Sequence, residues 1–419
     1  MHVAHFIQRY PPALGGSEAY FARLSRWRRD QGDAVSIWTS TAVDLSAFWA
    51  EGGRRMRPGI SRDEQLTIRR YEPSNWFARR QTLKLLSFFP HAAWQCATMT
   101  CNPLSIRMGL DVLRDEGPCD LVHASAFPYT WPLLCGLRLA RRKKAPFLLT
   151  PFLHLGDPDD PRDRTRQVYT SRPMRYLLQA ADTVFAQTEV ERDAIHDLGV
   201  PADRLVLQGL GVDSGDCTGG DRVRVRESWQ VDERDCVIGH LANLSHPKGT
   251  IDLLRAAKIA WEDVARFRIV LAGPAMPDFN RFWRSFEPKE RVQLLGPLSE
   301  DQKRDFFAGI DAFCLPSRSD SFGLVLLEAW ANGKPVIAYR SGGVGDLIQH
   351  GDDGLLIRCG DFTGLASALS EMERNGERRS ALGAVGKKRT EWEFRWEDKL
   401  RVVDEVMARV VKGEVKVGV

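Results

Sequence analysis

No apolar run in this chain of 419 residues approaches the ~18 that a helix needs to cross a bilayer, so no membrane-spanning segment is expected. The opening residues, MHVAHFIQRYPP, lack a basic start followed by an apolar stretch, and no secretory signal is expected. Cysteine is thinly scattered. Cys96, Cys101, Cys119, Cys135, Cys217, Cys236, Cys314 and Cys359 form no CxxC pair, and no His stands at zinc-ligand spacing from Cys96 and Cys101. Several lie inside apolar runs, where a thiol behaves as a small hydrophobe, and the expectation is reduced cysteines in a cytoplasmic protein. A GxGxxG fingerprint is missing, which argues against a dinucleotide cofactor. No Asp-x-Asp falls at a strand end in the second half of the chain. The acidic stretch GDPDDPRD (156–163) reads as turn chemistry in a loop of the first half. No metal and no other cofactor is therefore expected.

What is present reads as ordinary globular protein, with 43% hydrophobic and 27% charged residues. The length exceeds what one core fills and points to two domains. The net charge of +4 is uneven: residues 1–150 carry +9 and the rest −5. A basic first half suits an anionic partner, although a solvated basic surface accounts for it equally well.

Short apolar runs alternate with amphipathic stretches, the pattern of βαβ units. Strands are expected at 3–7, 34–39, 120–125, 145–152 and 182–188, with a helix over 17–32 stopped by Gly32. A second alternation follows, with strands at 236–242, 266–273, 292–296, 311–317 and 334–339. Continuous apolar strands of this kind belong to parallel sheets covered on both faces. The polar stretch DSGDCTGGDR (213–222) reads as a linker, and EWEFRWEDKLRVVDEVMARVVKG (391–413) as one long amphipathic helix. The fold class is thus α/β: two doubly wound Rossmann-like domains at 1–212 and 226–392, a linker at 213–225, and a C-terminal helix at 393–419 expected to cross back towards the first domain. Such domains place ligands at the carboxyl ends of their strands, and here those ends are expected to face a central cleft.

The segment LPSRSDSFGLVLLEAWANGKPVIAYRSGGVGDLI (315–348) carries the chemistry. A strand ends at Pro316, a loop carries Asp320, and a helix is expected from about Phe322 to Asn332, its first N–H groups free for an anion or a hydroxyl-rich ligand. Glu328 stands eight positions after Asp320, about 12 Å along a helix axis. One carboxylate can then meet a sugar and the other a ribose. Gly342 and Gly343 follow the next strand and allow close approach of backbone. This stretch resembles the signature of the family 4 glycosyltransferases (retaining, GT-B fold, glycosyl transferases group 1), in which two acids flank seven residues and a GKPV strand and GG turn follow. The resemblance implies a nucleotide-diphosphate sugar donor, UDP- or GDP-linked, whose sugar hydroxyls meet Asp320 and whose ribose meets Glu328. It also implies that Ser321, Phe322, Gly323 and Leu324 line the donor site. The first acid is usually Glu, so Asp320 is one methylene shorter, and Asp346 falls where Glu is frequent.

GHLANLSHPKGT (239–250) resembles the family's diphosphate-binding loop, with Lys248 beside a helix start, where cation and helix dipole act together. Asn243 stands where the family has Arg, removing a charge-assisted contact worth about 1.5–3 kcal/mol, for which Arg318 is the substitute to consider. YPPALGGSEAYFARL (10–24) resembles the first glycine-rich loop, with Gly16 approaching the diphosphate. His154 resembles the histidine that reaches the donor sugar. His154, Asp320 and Lys248 are therefore the candidate catalytic residues, although a lone histidine is also commonly structural. Glu18, His123, Thr188 and Glu189 are weaker candidates for the acceptor side.

The expected function is hexosyl transfer, retaining and metal-independent, to a glycan, lipid-linked or small-molecule acceptor, with no nucleic acid involved. A non-catalytic nucleotide-sugar binder and a GT-B-fold epimerase or hydrolase remain the alternatives. Residues 74–94 mix aromatics and leucines with Arg79, Arg80 and Lys84. They suit peripheral contact with the inner face of a membrane or, alternatively, a lid packed on the first domain.

Overall fold

Two sheets form from the two alternations. The computed structural model describes residues 1–49, 52–63, 65–263 and 265–413. It divides into one unit of residues 1–153, 166–208 and 400 onward, and another of residues 154–165 and 209–399.

In the first unit the strands are β1 (His2–Phe6), β2 (Ala34–Ser40), β3 (Gly59–Asp63), β4 (Leu66–Tyr71), β5 (Leu121–Ala124), β6 (Phe147–Leu149), β7 (Thr183–Ala186) and β8 (Leu205–Leu207). They lie in the order β3-β4-β2-β1-β5-β6-β7-β8, parallel except for the β3–β4 pair. β3, β4 and β8 carry no apolar run of strand length: GISRD is a polar edge strand, LTIRRY is polar along its middle although it pairs on both sides, and the edge strand LVL is only three residues long. Hydrogen bonding to a neighbouring strand, more than burial, makes them strands.

In the second unit β9 (Val237–Leu241), β10 (Arg268–Ala272), β11 (Val292–Gly296), β12 (Ala312–Leu315), β13 (Val336–Tyr339) and β14 (Gly354–Ile357) form an all-parallel sheet ordered β11-β10-β9-β12-β13-β14. All four residues of β12 and of β13 are buried, because helices cover both faces. Ile238, Ile269, Cys314 and Ile337 from the strands pack with Leu253, Leu254, Leu365 and Leu369 from helices in one core. The chain runs outward from β9 to one side and from β12 to the other. Their carboxyl ends therefore open a crevice at the switch point. In the first sheet the equivalent place lies between β1 and β5.

Three expectations about organisation are corrected. The stretch 213–222 is no linker: helices Ser214–Cys217 and Arg222–Ser228 belong to the second unit, with the Asp221 N–H on Asp305 at 2.8 Å. Residues 154–165, acidic loop included, also belong to the second unit, where Gly342 N–H donates to Gly156 O at 2.9 Å. The long terminal helix is broken. One helix ends at Trp392 and the next runs Trp396–Val411, because Phe394 packs on Phe322 and Trp330 while Val212 N–H takes the Phe394 carbonyl at 2.7 Å. From Leu400 that last helix counts with the first unit, where Asp404 accepts from Trp27 Nε1 at 2.7 Å; positions 414–419 of the expected terminal element lie outside the described residues.

One buried side chain bridges the second switch point. His240 on β9 donates from Nδ1 to Cys314 O on β12 at 2.8 Å, and its Nε2 meets Thr250 Oγ1 at 2.9 Å. Burial, helped by the charge of Lys248, lowers its pKa to about 4. The ring is thus neutral when folded yet protonates near pH 6.5 when unfolded. The resulting stability is intact above pH 6.5 and is lost as pH falls towards 4, about 3 kcal/mol in all. His240→Gln, which cannot titrate, should be the less stable protein at pH 7 by urea denaturation. Its deficit should shrink by about that amount by pH 4; a gap independent of pH would refute the assignment.

Candidate active site

Three loops of the second unit meet at the carboxyl end of its sheet. The loop after β9 carries Asn243 and Lys248, that after β12 carries Asp320, and that after β13 carries Gly342 and Gly343. Glycines set how closely they approach. At Gly249 (φ +73°) a Cβ would fall 1.8 Å from Pro316 O, so only glycine lets the first two loops touch. At Gly342 (φ +49°) a Cβ would fall 2.3 Å from Asp320 O, and Gly343 N–H donates to that same carbonyl at 3.1 Å. Ser341 Oγ donates to Ser317 O at 2.5 Å, and Ser317 Oγ to Pro247 O at 3.3 Å. The backbone around Asp320 is therefore held from both sides.

Within this frame Lys248 Nζ lies 2.7 Å from Asp320 Oδ2. Burial alone would raise the Asp320 pKa, but Lys248 and the Phe322 N–H hold it below the usual carboxylate range. His154 joins them, donating from Nδ1 to Ser319 O at 3.3 Å. Burial and the Lys248 charge lower its pKa to about 4, so at neutral pH the ring is uncharged. With Nδ1 carrying the proton, Nε2 is the acceptor nitrogen, suited to a hydroxyl. The structure thus brings Lys248, Asp320 and His154 together, although His154 lies far from the others in sequence.

Glu328 lies on the helix Leu324–Ala331, shorter than expected, and pairs not with Lys248 but with Lys303 at 2.9 Å. Burial outweighs that lysine and raises the Glu328 pKa. Lys303, which also contacts Glu300 at 2.8 Å, carried no motif to mark it. Asn243 is exposed, with its carbonyl accepting from Ser245 Oγ at 3.0 Å. Arg318, the substitute considered for the absent arginine, holds its guanidinium 2.6 Å from Asp252, a fully buried carboxylate, with the rest of its side chain partly exposed. Phe322 is likewise corrected: its ring is core, edge-on to Phe394, and only its backbone faces the loop chemistry. Ser321 is nearly buried, Gly323 caps the helix at φ +86°, and Leu324 opens it. Asp346 sits in the short helix Val344–Leu347.

In the first unit Gly16 is exposed and opens the helix Gly16–Asp30. The acceptor-side candidates fare differently. Glu18 is buried and bound to Arg9 at 2.7 Å and to Gln8 at 3.1 Å, so it builds the loop rather than meeting a ligand. Gln8 Oε1 in turn accepts from Ala126 N–H at 3.3 Å, joining the loops after β1 and β5. His123 is a core residue, fully buried among His5, Phe21 and Phe185 with Nε2 on Thr150 Oγ1 at 2.8 Å. Thr188 caps the helix Glu189–Asp197 through the Glu191 N–H, and Glu189 is exposed and paired with Arg192. Sequence reading passed over Glu191. Its buried carboxylate accepts from Leu153 and Gln187 N–H, both at 2.7 Å, and burial raises its pKa to about 7.

Loop contact is testable through the glycines. Gly249→Ala should lower unfolding free energy by about 2–4 kcal/mol, since strain and steric overlap combine. Gly32→Ala, at φ +87° with nothing within 4 Å of its Cβ, should cost only about 1 kcal/mol. Equal losses in urea titrations would mean that the loops do not abut.

Two family models match the chain: Glycosyl transferase 4-like domain over residues 15–211, and Glycosyl transferases group 1 over residues 221–389. The chain is similar to the N-acetyl-alpha-D-glucosaminyl L-malate synthase of Bacillus anthracis, 29% identical over 225 residues, 54% of this chain and 58% of that protein. It is also similar to the D-inositol 3-phosphate glycosyltransferase of Rhodococcus jostii, 31% identical over 255 residues, 58% of this chain and 55% of the relative. The match thus spans little more than half the length of these relatives. Sucrose-phosphate synthase from Thermosynechococcus elongatus shares the fold, with a TM-score of 0.74 at 17% identity over 98% of this chain and 99% of that one. With a matching model on each half and two Rossmann-like units of the GT-B type, the chain belongs to the group 1, family 4-like glycosyltransferases.

Proposed function

We propose that this chain transfers a sugar from a nucleotide-diphosphate sugar to an acceptor hydroxyl, with retention at the anomeric carbon and without a metal ion. The observation that carries this reading is the Lys248–Asp320 contact of 2.7 Å at the switch point between β9 and β12, beside neutral His154. An ammonium has three donors, so Lys248 can keep Asp320 and still meet a diphosphate oxygen. As the glycosidic bond to the donor breaks, charge develops on that diphosphate. Lys248 and the amino end of the helix Thr250–Glu262 are fixed in advance to receive it. On this reading Asp320, ionised and held by its backbone, accepts from the sugar hydroxyls, and Glu328 from the ribose. No side chain is assigned as a covalent nucleophile, in keeping with attack by the acceptor on the face the leaving group departs from.

Asn243 leaves Lys248 without the family's arginine, and this favours a second reading, a nucleotide-sugar binder without turnover. Both readings predict saturation-transfer signals from one of a UDP-, GDP- and ADP-sugar panel; only the enzyme releases nucleotide when an acceptor is added. Lys248→Ala should reduce turnover at least about tenfold, and Glu328→Ala should weaken donor binding. Unchanged kinetics in both variants would place the site elsewhere.

A further inference from the structure

Residues 73–110 contain Arg79, Arg80, Lys84 and Arg107 and not one Asp or Glu. They form a helical hairpin of the first unit, Arg79–Leu86 and Ala92–Thr98, joined by a turn at Phe88 and Phe89. One face of the first helix is mounted on the protein. Leu83 is buried, and buried Arg79, four residues earlier, donates to Asn102 O at 2.6 Å and Ser74 O at 3.1 Å. Asn102 in turn donates to Cys96 O at 2.6 Å, and Trp94 Nε1 to Leu86 O at 2.8 Å, so the second helix braces the first.

On this base the apolar tips face solvent: Phe77 is 98% exposed, Phe88 74%, Leu85 72% and Phe89 61%. Burying such rings in protein would have stabilised the fold, and several large apolar side chains exposed on one hairpin mark a contact surface. Beside them Arg80 and Lys84, one helical turn apart, are exposed. A groove of about 630 Å³ lined by Trp49, Trp76, Phe77 and Arg80 repeats the same mixture of apolar surface and cation. We infer that this hairpin is a docking surface for an anionic lipid bilayer. The rings enter the boundary between headgroups and acyl chains, and Arg80 and Lys84 meet the lipid phosphates. Charge selects the occupant, since 38 consecutive residues without a carboxylate repel nothing on an anionic surface.

The test is co-sedimentation of the full chain with vesicles of phosphatidylcholine, alone or with a third of the lipid replaced by phosphatidylglycerol, without donor or acceptor. Binding at ~50 mM salt should be at least about tenfold tighter to the anionic vesicles and should fall at ~0.5 M salt. The pair Phe88→Ser with Phe89→Ser should lose about tenfold or more on either vesicle. Arg80→Glu with Lys84→Glu should lose the anionic preference. These side chains are exposed, so melting temperature and donor binding should stay as in the parent, which separates this result from failure of the transfer reading. Absent sedimentation at low salt, or variants that bind like the parent, would overturn the surface. A dimer that dissolves in the double Ser variant would overturn it too, by making a second copy the occupant.

Discussion

The Lys248–Asp320 contact is what the second unit is arranged around. Each residue sits in a loop at the end of its own strand, and the strands are neighbours only because the sheet order reverses between β9 and β12. Two charged groups partly removed from water need each other and a fixed frame to offset their desolvation. The frame is backbone. Gly249 lets one loop touch Pro316 O, and Gly342 with Gly343 clasps the Asp320 carbonyl. His240 ties β9 to β12 beneath the pair as a neutral, doubly hydrogen-bonded ring.

His154 shows how the chain trades segments to complete that site. It follows β6, a strand of the first sheet, yet residues 154–165 pack with the second unit and close over Ser319 and Gly342. Its low pKa follows from burial beside Lys248, so a cation and a neutral acceptor stand together at neutral pH. In the first unit, Gln8 joins the loops after β1 and β5 as His240 joins β9 and β12, although there a buried Glu18–Arg9 pair replaces the exposed chemistry.

Much of this was legible in the residues. Apolar runs located ten strands, since burial on both faces leaves a compositional mark, and Lys248, Asp320 and the GG turn were readable from spacing. The polar strands β3 and β4 were not, because they answer to hydrogen bonding with a neighbouring strand more than to burial. Glu18 and His123 looked like ligand-facing groups by position, whereas both are buried inside the first unit, Glu18 on Gln8 and His123 on Thr150. The eight cysteines, read as unpaired, are free thiols.

By itself, then, the sequence determined the two α/β units, the strand ends where chemistry belongs and the residue types for gripping a sugar nucleotide, because periodicity and local turn chemistry are properties of short stretches. Tertiary structure alone decided which charges pair. Lys303 takes Glu328, Asp252 takes Arg318, and Lys248 is left with Asp320. Partners in those pairs lie 25, 66 and 72 positions apart. No local pattern encodes such distances. They are set by the order of strands in a sheet and by how closely glycine lets two loops approach.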